Sequence, residues 1–476
     1  MSVYGRIFLL VVSYAVTLLL IRWVILSRKR QPMAAIAWIL AIVFIPIFGG
    51  ILFLLIGMTN IHRRREGKLA AARELAPKLP NVAQFELRDL ELTRQQTRLA
   101  LLVTRECGGI LTGNNSIEVM ADTNVTLRRI EEAILGAQQT LDLEYYIWQP
   151  DRTGTRVRDM LIERAKAGVK VRFLYDTLGS MSLNRKFLSA MTDAGIQVVP
   201  FLPGSSFRER WSFNNRCHRK IVVVDGKIGF TGGMNIGDEY IGADREIGHW
   251  RDTHLRIEGP GVWQLQQVFA EDWYYSTGEE LTDEALFPQP PRSGTGIAQV
   301  VSGGPDGVNE PFHTLTFAAL NEARESITIA SSYFAPTVPL VMALETAAAR
   351  GVKVRLMMAG NSVYPWTVWV GRSFYDTLLR AGVEIYEYKK GILHSKTLTI
   401  DGAWSLVGTA NFDYRSMLLN FEVALALYGE GYARELEEQF RIDLQHCRPI
   451  LLPEWDQRSL SRVFVENVCR LFAPLV

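Results

Sequence analysis

The chain carries one short polar pattern twice, and this repetition constrains its fold more than any other feature. Each copy has a histidine, a lysine two positions later and an aspartate five positions after the lysine. The copies are His218, Lys220 and Asp225, and then His394, Lys396 and Asp401. They share one internal spacing and lie 176 positions apart (394 − 218). Two matches in register predict a duplicated half-site on two equivalent strands, not a chance cluster.

The spacing has a simple geometric meaning. Residues two apart on a β-strand project to the same face, so each copy places an imidazole beside an ammonium group. The Asp-Gly dipeptides at 225–226 and 401–402 are typical of tight turns, because glycine adopts positive φ without strain. Asp225 and Asp401 complete the repeated signature. We nevertheless expect them to hold these turns and not to touch a substrate.

Two such strands, related by a pseudo-twofold axis, would bring two histidines and two lysines to one pocket. This set of groups suits a phosphodiester. The ammonium groups neutralise the non-bridging oxygens, where charge develops during the reaction. One histidine can attack phosphorus while the other protonates the leaving alkoxide.

The duplication extends beyond the motif and predicts the fold class. Segment 141–147 matches 327–334, segment 167–174 matches 350–357, and segment 194–198 matches 381–385. Helical patterns lie between these β-branched runs, as in βαβ units. We therefore predict an α/β protein with two pseudo-symmetric domains at 113–293 and 294–476. Each domain would hold a mixed sheet flanked by helices.

The N-terminal region is strongly apolar. Residues 7–26 and 33–58 form two apolar stretches, and about twenty residues suffice to cross a bilayer as a helix. We predict a transmembrane helical hairpin as a membrane anchor over 1–60, followed by a helical connector over 61–112. The basic run 62–65, with Lys68, favours a cytoplasmic catalytic domain and a multi-pass protein.

Composition excludes several classes of function. The formal net charge is +2, which gives little electrostatic footprint for nucleic acid. The four cysteines are scattered, with no CxxC pair and no His/Cys cluster, so we expect neither a zinc site nor a disulfide framework. No cofactor fingerprint is present, and we expect no metal and no cofactor.

Three further segments allow two interpretations each. The aromatic and arginine-rich segment 205–213 is a lid or membrane-contact loop, or else an ordinary packed loop. The aromatic segment 364–375 meets lipid chains, or else packs between the domains. Apolar residues recur at helical spacing over 460–472. We expect a core-facing terminal helix there, with an interfacial membrane helix as the second interpretation.

The repeated HxKxxxxD motif resembles that of the phospholipase D superfamily. The anchor, the stretch 229–240 and the ending 470–475 are similar to bacterial cardiolipin synthases within it. The resemblance implies transfer of a phosphatidyl group between two phosphatidylglycerol molecules, giving cardiolipin and glycerol through a phosphohistidine. It also implies a location in the bacterial inner membrane and the lipid bilayer as a partner. The oligomeric state stays open.

The resemblance also implies roles for individual residues. His218 would be the nucleophile and His394 the general acid and base. The phosphate would be bound by Lys220, Lys396, Asn235 and Asn411. Acidic residues downstream of each motif would orient a histidine across the interface, and Asp252 and Glu422 fit that part. We expect such an acid to raise the pKa of the imidazolium and to fix its tautomer.

Other functions remain compatible with the sequence. The site suits a phospholipase D, or a transferase that uses water, another alcohol or another phospholipid as acceptor. A nuclease is less favoured, because two membrane spans serve no purpose for it. A non-catalytic lipid-binding scaffold is a different class of function, and the intact histidine and lysine pairs argue against it.

Overall fold

The computed structural model describes residues 3–26, 32–54, 68, 70–87, 92–201, 216–305 and 309–475. It divides into two compact units, Met1–Arg64 and Arg65–Val476. The basic run 62–65 and the aromatic segment 205–213 lie outside the described residues, so the expectations for them stay predictions.

The described residues of the first unit form three helices, α1 (Val3–Leu26), α2 (Pro32–Phe44) and α3 (Pro46–Leu52). Helix α2 stops before Ile45, whose φ of −129° is not helical, and α3 begins at Pro46. Proline is suited to a first helical position, because it has no N–H to donate. Among the described residues, no helix combines the length and the hydropathy that a membrane crossing requires.

In the part of the second unit that the structure describes, the strands form one 15-stranded sheet and two short two-stranded sheets. The strands are β1 (Thr112–Met120), β2 (Thr140–Tyr145), β3 (Lys170–Asp176), β4 (Gln197–Phe201), β5 (Ile221–Val224), β6 (Ile228–Gly232), β7 (His249–Arg251), β8 (His254–Glu258), β9 (Gly296–Gly303), β10 (Ser326–Ser331), β11 (Phe334–Ala335), β12 (Lys353–Ala359), β13 (Glu384–Tyr388), β14 (Gly391–Leu393), β15 (Lys396–Ile400), β16 (Trp404–Gly408), β17 (Phe412–Asp413), β18 (Glu422–Tyr428) and β19 (Cys447–Ile450).

Helices flank this sheet. They include α4 (Arg94–Cys107), α5 (Thr123–Gly136), α6 (Arg152–Lys166), α7 (Arg185–Thr192), α8 (Gly261–Thr277), α9 (Pro311–Glu322), α10 (Val338–Ala349), α11 (Pro365–Arg372), α12 (Tyr375–Arg380), α13 (Tyr414–Leu418), α14 (Glu430–Leu444), α15 (Leu452–Trp455) and α16 (Leu460–Arg470).

The strand order repeats between the two halves of the sheet. It runs β4-β3-β2-β5-β6-β8-β1 in the first half and β13-β12-β10-β15-β16-β18-β9 in the second. Strands β2 and β10 each have one parallel and one antiparallel neighbour, so the sheet is mixed as predicted. Strands β1 and β9 pair antiparallel and join the halves into one continuous sheet. The second half carries β19 as an additional edge strand.

Helix α4 lies in the segment 61–112, which the sequence predicts to be a helical connector. The helix packs into the apolar core of the second unit. Its N-terminus has a capping box, in which Thr93 and Gln96 each accept a hydrogen bond from the other's backbone N–H. Leu99 and Val103 on its inner face belong to the apolar core of the second half. The C-terminal part of this segment is therefore packed against the second unit's core, because burial of these side chains stabilises the helix there.

The C-terminal helix α16 differs from the core-facing helix that its apolar spacing predicts. Leu460 is 87% exposed and Phe464 is 68% exposed, whereas Glu466 is 3% exposed. Buried Glu466 forms ion pairs with Arg458, which is largely buried, and with the half-exposed Arg462. The core-facing prediction is therefore wrong, because the apolar side chains point outward.

Candidate active site

The two repeated motifs lie at the entrances of equivalent strands near the centre of each half-sheet. His218 and Lys220 immediately precede β5, while His394 precedes β15 and Lys396 opens it. All four side chains are buried or nearly so. The strands that follow are fully or largely buried, which fixes the backbone from which the motif side chains project.

The motif aspartates bind backbone and do not line the cavity described below. Asp225 and Asp401 have φ of 50° and 51°, so each forms a left-handed turn with the glycine that follows. The Asp225 carboxylate accepts hydrogen bonds from the amides of 138, 139 and 140. The Asp401 carboxylate accepts bonds from the amides of 324, 325 and 326 in the same way. Although both complete the repeated signature, their carboxylates bind backbone at the starts of β2 and β10.

Each histidine is held by backbone from the opposite half. His218 N donates to Phe421 O at 2.9 Å, and His394 N donates to Arg251 O at 2.7 Å. A parallel bridge between Cys217 and Phe421 extends the first contact, and parallel pairing of β14 with β7 extends the second. The two halves thus exchange equivalent backbone contacts beside the motifs.

These exchanges place one carboxylate behind each imidazole. Nδ1 of His218 lies 3.0 and 2.9 Å from the two carboxylate oxygens of Glu422. Nδ1 of His394 lies 2.6 Å from Oδ2 of Asp252. A carboxylate can only accept, so Nδ1 carries the proton and Nε2 keeps its lone pair. The structure brings each predicted acid to the histidine of the other half.

The lysines are positioned by their own motifs. Lys220 Nζ donates to His218 O at 2.7 Å, and Lys396 Nζ donates to His394 O at 2.5 Å. Lys396 also donates to Ser332 Oγ at 3.1 Å, whereas the Lys220 ammonium lies 5.3 Å from the ring centre of Tyr146. Both ammonium groups keep donor capacity for an anion.

One cavity of about 700 Å³ is lined by both histidines and both asparagines, His218, His394, Asn235 and Asn411. Asn235 Oδ1 accepts from the Ile147 amide at 3.2 Å, and Asn411 Oδ1 accepts from Ser332 Oγ at 2.7 Å. Because each amide oxygen already accepts a hydrogen bond, each side chain would bind an anion through its NH₂ group. The structure therefore brings together the predicted His and Asn residues of both copies.

Burial dominates the electrostatics of the bases. It lowers the pKa of His218 to about 4, with Lys220 acting in the same direction and Glu422 opposing. It also lowers the pKa of His394 to about 4. Glu422 and Asp252 each raise the pKa of their histidine, as expected, but desolvation outweighs this attraction and sets the net direction. Both imidazoles are neutral at pH 7.

The lysines and the acids follow the same logic. Burial lowers the pKa of Lys220 to about 7 and that of Lys396 to about 8. Burial opposes ionisation of Glu422, but His218, Lys220 and Thr409 outweigh it and lower its pKa to about 2. The pKa of Asp252 is likewise lowered by His394 against the effect of burial. Both acids are thus anionic partners for their histidines.

The sequence patterns did not point to several residues that complete the site. Tyr146 packs edge-on against His218 at 5.0 Å between ring centres, and Trp250 lies 5.1 Å from His394. Asp413 lines the cavity, and burial raises its pKa to about 7. Tyr146 and Ser332 follow the matched strands β2 and β10 directly, so the repeat alignment was the signal available for them.

A buried ionic network lies behind the His218 strand. Arg219, between the two motif residues, pairs with Asp272 and donates through Nε to Glu422 O at 3.2 Å. Lys68 Nζ lies 2.5 Å from Asp272 and 4.0 Å from the ring centre of Phe421. Lys68, noted in the sequence only for its charge, is 3% exposed and pairs in the interior.

Three donor atoms beside this network have the spacing of a metal site, those of Glu144, Cys217 and Asp272. Their chemistry favours hydrogen bonding instead. Cys217 Sγ donates to Glu144 Oε1 at 2.6 Å, and burial raises the pKa of both groups well above the usual values. Asp272 is already neutralised by two cations, so a further cation would meet repulsion.

Comparisons with known proteins agree with this arrangement. A family model described as "Cardiolipin synthase, PLD-like domain" matches residues 130–273 and 317–444, and so covers both motif copies. The chain is 39% identical over 459 residues to a cardiolipin synthase of Geobacillus sp. (strain WCH70), covering 96% of this chain and 91% of that protein. This chain belongs to the cardiolipin synthase family.

Further matches extend the family assignment. Cardiolipin synthase 2 of Bacillus anthracis is 37% identical over 466 residues, covering 97% of this chain and 91% of that protein. A model described as "Phospholipase_D-nuclease N-terminal" matches residues 15–57. The crystal structure of phosphatidylserine synthase from Haemophilus influenzae superposes with a TM-score of 0.61. At 14% identity, over 80% of this chain and 98% of that one, it supports the fold alone.

Proposed function

We propose that this member of the cardiolipin synthase family is a phosphatidyltransferase that makes cardiolipin from two phosphatidylglycerol molecules and releases glycerol. One observation carries the proposal. Two neutral histidines, each backed by a carboxylate from the opposite half, face one cavity that also holds both motif asparagines. That arrangement supplies a nucleophile, a proton donor and phosphate binding groups in a single site.

In the first step, Nε2 of His218 attacks the phosphorus of the donor lipid. The P–N bond forms while the P–O bond to glycerol breaks, and Glu422 stabilises the positive charge that develops on the imidazole. His394 protonates the departing glycerol oxygen through Nε2. It is neutral in the empty site, but the bound phosphodiester anion raises its pKa and favours the protonated form.

In the second step, the terminal hydroxyl of the acceptor phosphatidylglycerol attacks the phosphohistidine. His394 removes the proton from this hydroxyl, the P–N bond breaks, and His218 is regenerated as a neutral base. One phosphodiester replaces another, so the reaction needs no input of free energy from a nucleotide. The four phosphate binding groups, Lys220, Lys396, Asn235 and Asn411, serve both steps.

We also propose that the first unit, which contains the matched segment 15–57, anchors the enzyme in the bacterial cell membrane. Its two apolar stretches support a hairpin, and the basic run after them supports a cytoplasmic catalytic unit. Attachment would keep the enzyme beside donor and acceptor lipids in the bilayer, which raises their effective concentration.

The test is lipid analysis after purified protein is given vesicles of phosphatidylglycerol alone, with His218→Ala as the control. Cardiolipin with free glycerol, absent in the control, is the expected result. Phosphatidic acid without cardiolipin would contradict it and favour a phospholipase D. If the wild type forms no product, other alcohols and headgroups become the acceptors to test, with a lipid-binding scaffold as the remaining interpretation.

A further inference from the structure

The C-terminal helix α16 presents its apolar side to the outside. Leu460, Phe464, Val468 and Leu471 recur every three or four residues, so they share one face of the helix. All four are exposed, and Leu471 is 77% exposed. A helix on the surface of a water-soluble protein normally shows the opposite pattern, with its apolar residues facing the core.

The polar side of α16 is satisfied against the protein. Glu466 pairs with Arg458 and Arg462, and the Arg458 guanidinium stacks 3.7 Å above the ring centre of Trp455. Arg470 lies 4.4 Å from the ring centre of Phe374. These contacts fix the rotation of the helix. The apolar face is therefore held outward by a specific network and is not the result of a loosely placed terminus.

A second element with exposed apolar side chains connects α16 with the catalytic cavity. Helix α16 packs along α11, whose Trp366 and Trp369 are 36% and 41% exposed. Tyr364, 58% exposed, precedes α11 and lines the cavity together with Trp366. At the end of the chain Leu475 also lines the cavity. Exposed aromatic and aliphatic side chains thus lie on α16, on the adjacent α11 and at the lining of the cavity.

We propose that this surface, which we call the apolar rim, docks the catalytic unit onto a phosphatidylglycerol bilayer and delivers lipid to the cavity. The rim consists of Tyr364, Trp366, Trp369, Phe464, Leu471 and Phe472. Tryptophan and tyrosine favour the membrane interface, where the ring is buried and the polar atom stays hydrated. The aliphatic face of α16 suits the acyl boundary.

The position of the rim favours a bilayer over a second copy of the chain. Under the proposed function, on which this inference rests, both substrates are bilayer lipids whose headgroups must reach one cavity. A partner chain seated on the rim would cover the entrance through which they pass. A membrane seated there would supply them directly, with their acyl chains against the rim and their phosphates toward the histidines.

The first test is photocrosslinking, which needs no turnover. The full-length protein carries p-benzoylphenylalanine in place of Phe464 and is reconstituted in vesicles of radiolabelled phosphatidylglycerol. The matched control carries it in place of Phe317 of α9, which is also an exposed phenylalanine at 42%. We expect labelled lipid on the Phe464 position and at least tenfold less on the control. A crosslink between two chains at Phe464, or equal labelling at both positions, would overturn the proposal.

The second test separates docking from chemistry. The double variant Phe464→Ser/Leu471→Ser changes rim residues that do not line the cavity. We expect at least a tenfold loss of turnover on phosphatidylglycerol vesicles, but less than a twofold change on short-chain phosphatidylglycerol below its micelle concentration. Equal losses on both substrates would mean that these residues support the fold, and no loss on either would mean that the rim is not used.

The two tests keep the proposals distinct. If the wild type makes no cardiolipin but Phe464 still crosslinks to lipid, the proposed reaction fails and the docking surface stands. If cardiolipin forms and the crosslink is absent, the reaction stands and the docking surface fails.

Discussion

The two half-sites share one backbone frame but support their histidines differently. In the His218 half-site, Glu422 accepts further hydrogen bonds from Thr409 Oγ1 at 2.5 Å and from Asn420 Nδ2 at 3.2 Å. In the His394 half-site, Asp252 accepts one from the Thr253 amide at 2.7 Å. The acid that serves His218 is thus fixed by two neighbouring side chains, and the acid that serves His394 by backbone.

The equivalent positions explain this difference. Gly233 stands where the second half has Thr409, and a Cβ on Gly233 would lie 2.1 Å from Asp252 Oδ1. Trp250 occupies the position equivalent to Asn420 of the second half. Its ring packs against the His394 ring and does not bind the acid. The shorter aspartate and the glycine fit each other, so the acid and its surroundings differ together between the halves.

The cavity walls differ as well. Asp413, which lines the cavity on the second-half side, has Gly237 as its counterpart two residues after the motif asparagine. The Lys220 ammonium faces the Tyr146 ring, while Lys396 has the Ser332 hydroxyl. A two-step transfer needs a nucleophile and a proton carrier, which are different tasks. The two motif strands share one backbone arrangement, and their different surroundings would allow one histidine to act as nucleophile and the other as proton carrier.

The sharpest way to break the comparison is to trap the intermediate. We expect both His218→Ala and His394→Ala to lose turnover. In His394→Ala, which loses proton transfer but keeps the nucleophile, the expected loss is about 10⁴-fold. After an acid quench with labelled phosphatidylglycerol, label should stay on the wild type and on His394→Ala but not on His218→Ala.

The reverse labelling pattern would exchange the two roles. Substantial turnover in either variant would refute a shared site. Circular dichroism of both variants checks that the fold is retained.

The lysines offer a pH test of smaller size. Because the pKa of Lys220 is lowered to about 7 and that of Lys396 to about 8, the empty site loses positive charge as pH rises through this window. We expect kcat/KM in mixed micelles to fall above pH 7, about tenfold per pH unit once a required proton is lost. The alkaline limb of the kcat profile should lie at higher pH than that of kcat/KM, because bound phosphate raises the pKa of the lysines.

Arginine stays protonated throughout this range, so the Lys220→Arg variant is the control. Its alkaline limb should move upward toward the pKa of Lys396. An unchanged limb in this variant would show that another group titrates there.

Much of this frame was predictable from sequence, because the repeat imposes it. Two copies with one spacing predicted two equivalent strands, and the short βαβ matches predicted parallel strands flanked by helices. The partners of the histidines were harder, since Asp252 and Glu422 lie 142 and 204 positions from the histidines they serve. Family resemblance indicated them, whereas periodicity alone carries no information about contacts between halves.

Other features depended on tertiary context. The net direction of the histidine pKa shifts follows from burial, which the local sequence does not encode. The outward rotation of α16 follows from the ion pairs of one residue, Glu466, with Arg458 and Arg462. An apolar pattern at helical spacing shows that the helix has an apolar face but not whether this face points to the core or outward. The core-facing prediction for α16 was therefore wrong.

The smallest expected effect tests the difference in acid support directly. Thr409→Val is close to isosteric and removes the hydroxyl that donates to Glu422 Oε2. A hydrogen bond to a charged group is worth about 1.5–3 kcal/mol, so we expect formation of the phosphohistidine to slow by at least about tenfold. Rapid-quench measurement of the first turnover isolates this step.

Thr253→Val is the matched control, because its hydroxyl lies beside Asp252 but contacts Ser395 Oγ at 2.8 Å and not the carboxylate. It should leave the first step within about threefold, since no hydrogen bond to an acid is lost. Equal slowing in both variants would mean that losing either threonine hydroxyl acts through local structure and not through a hydrogen bond to the acid. Slowing in Thr409→Val alone would tie the extra support of Glu422 to the chemistry of His218, because that hydroxyl contacts the carboxylate and the Val423 backbone but not the imidazole.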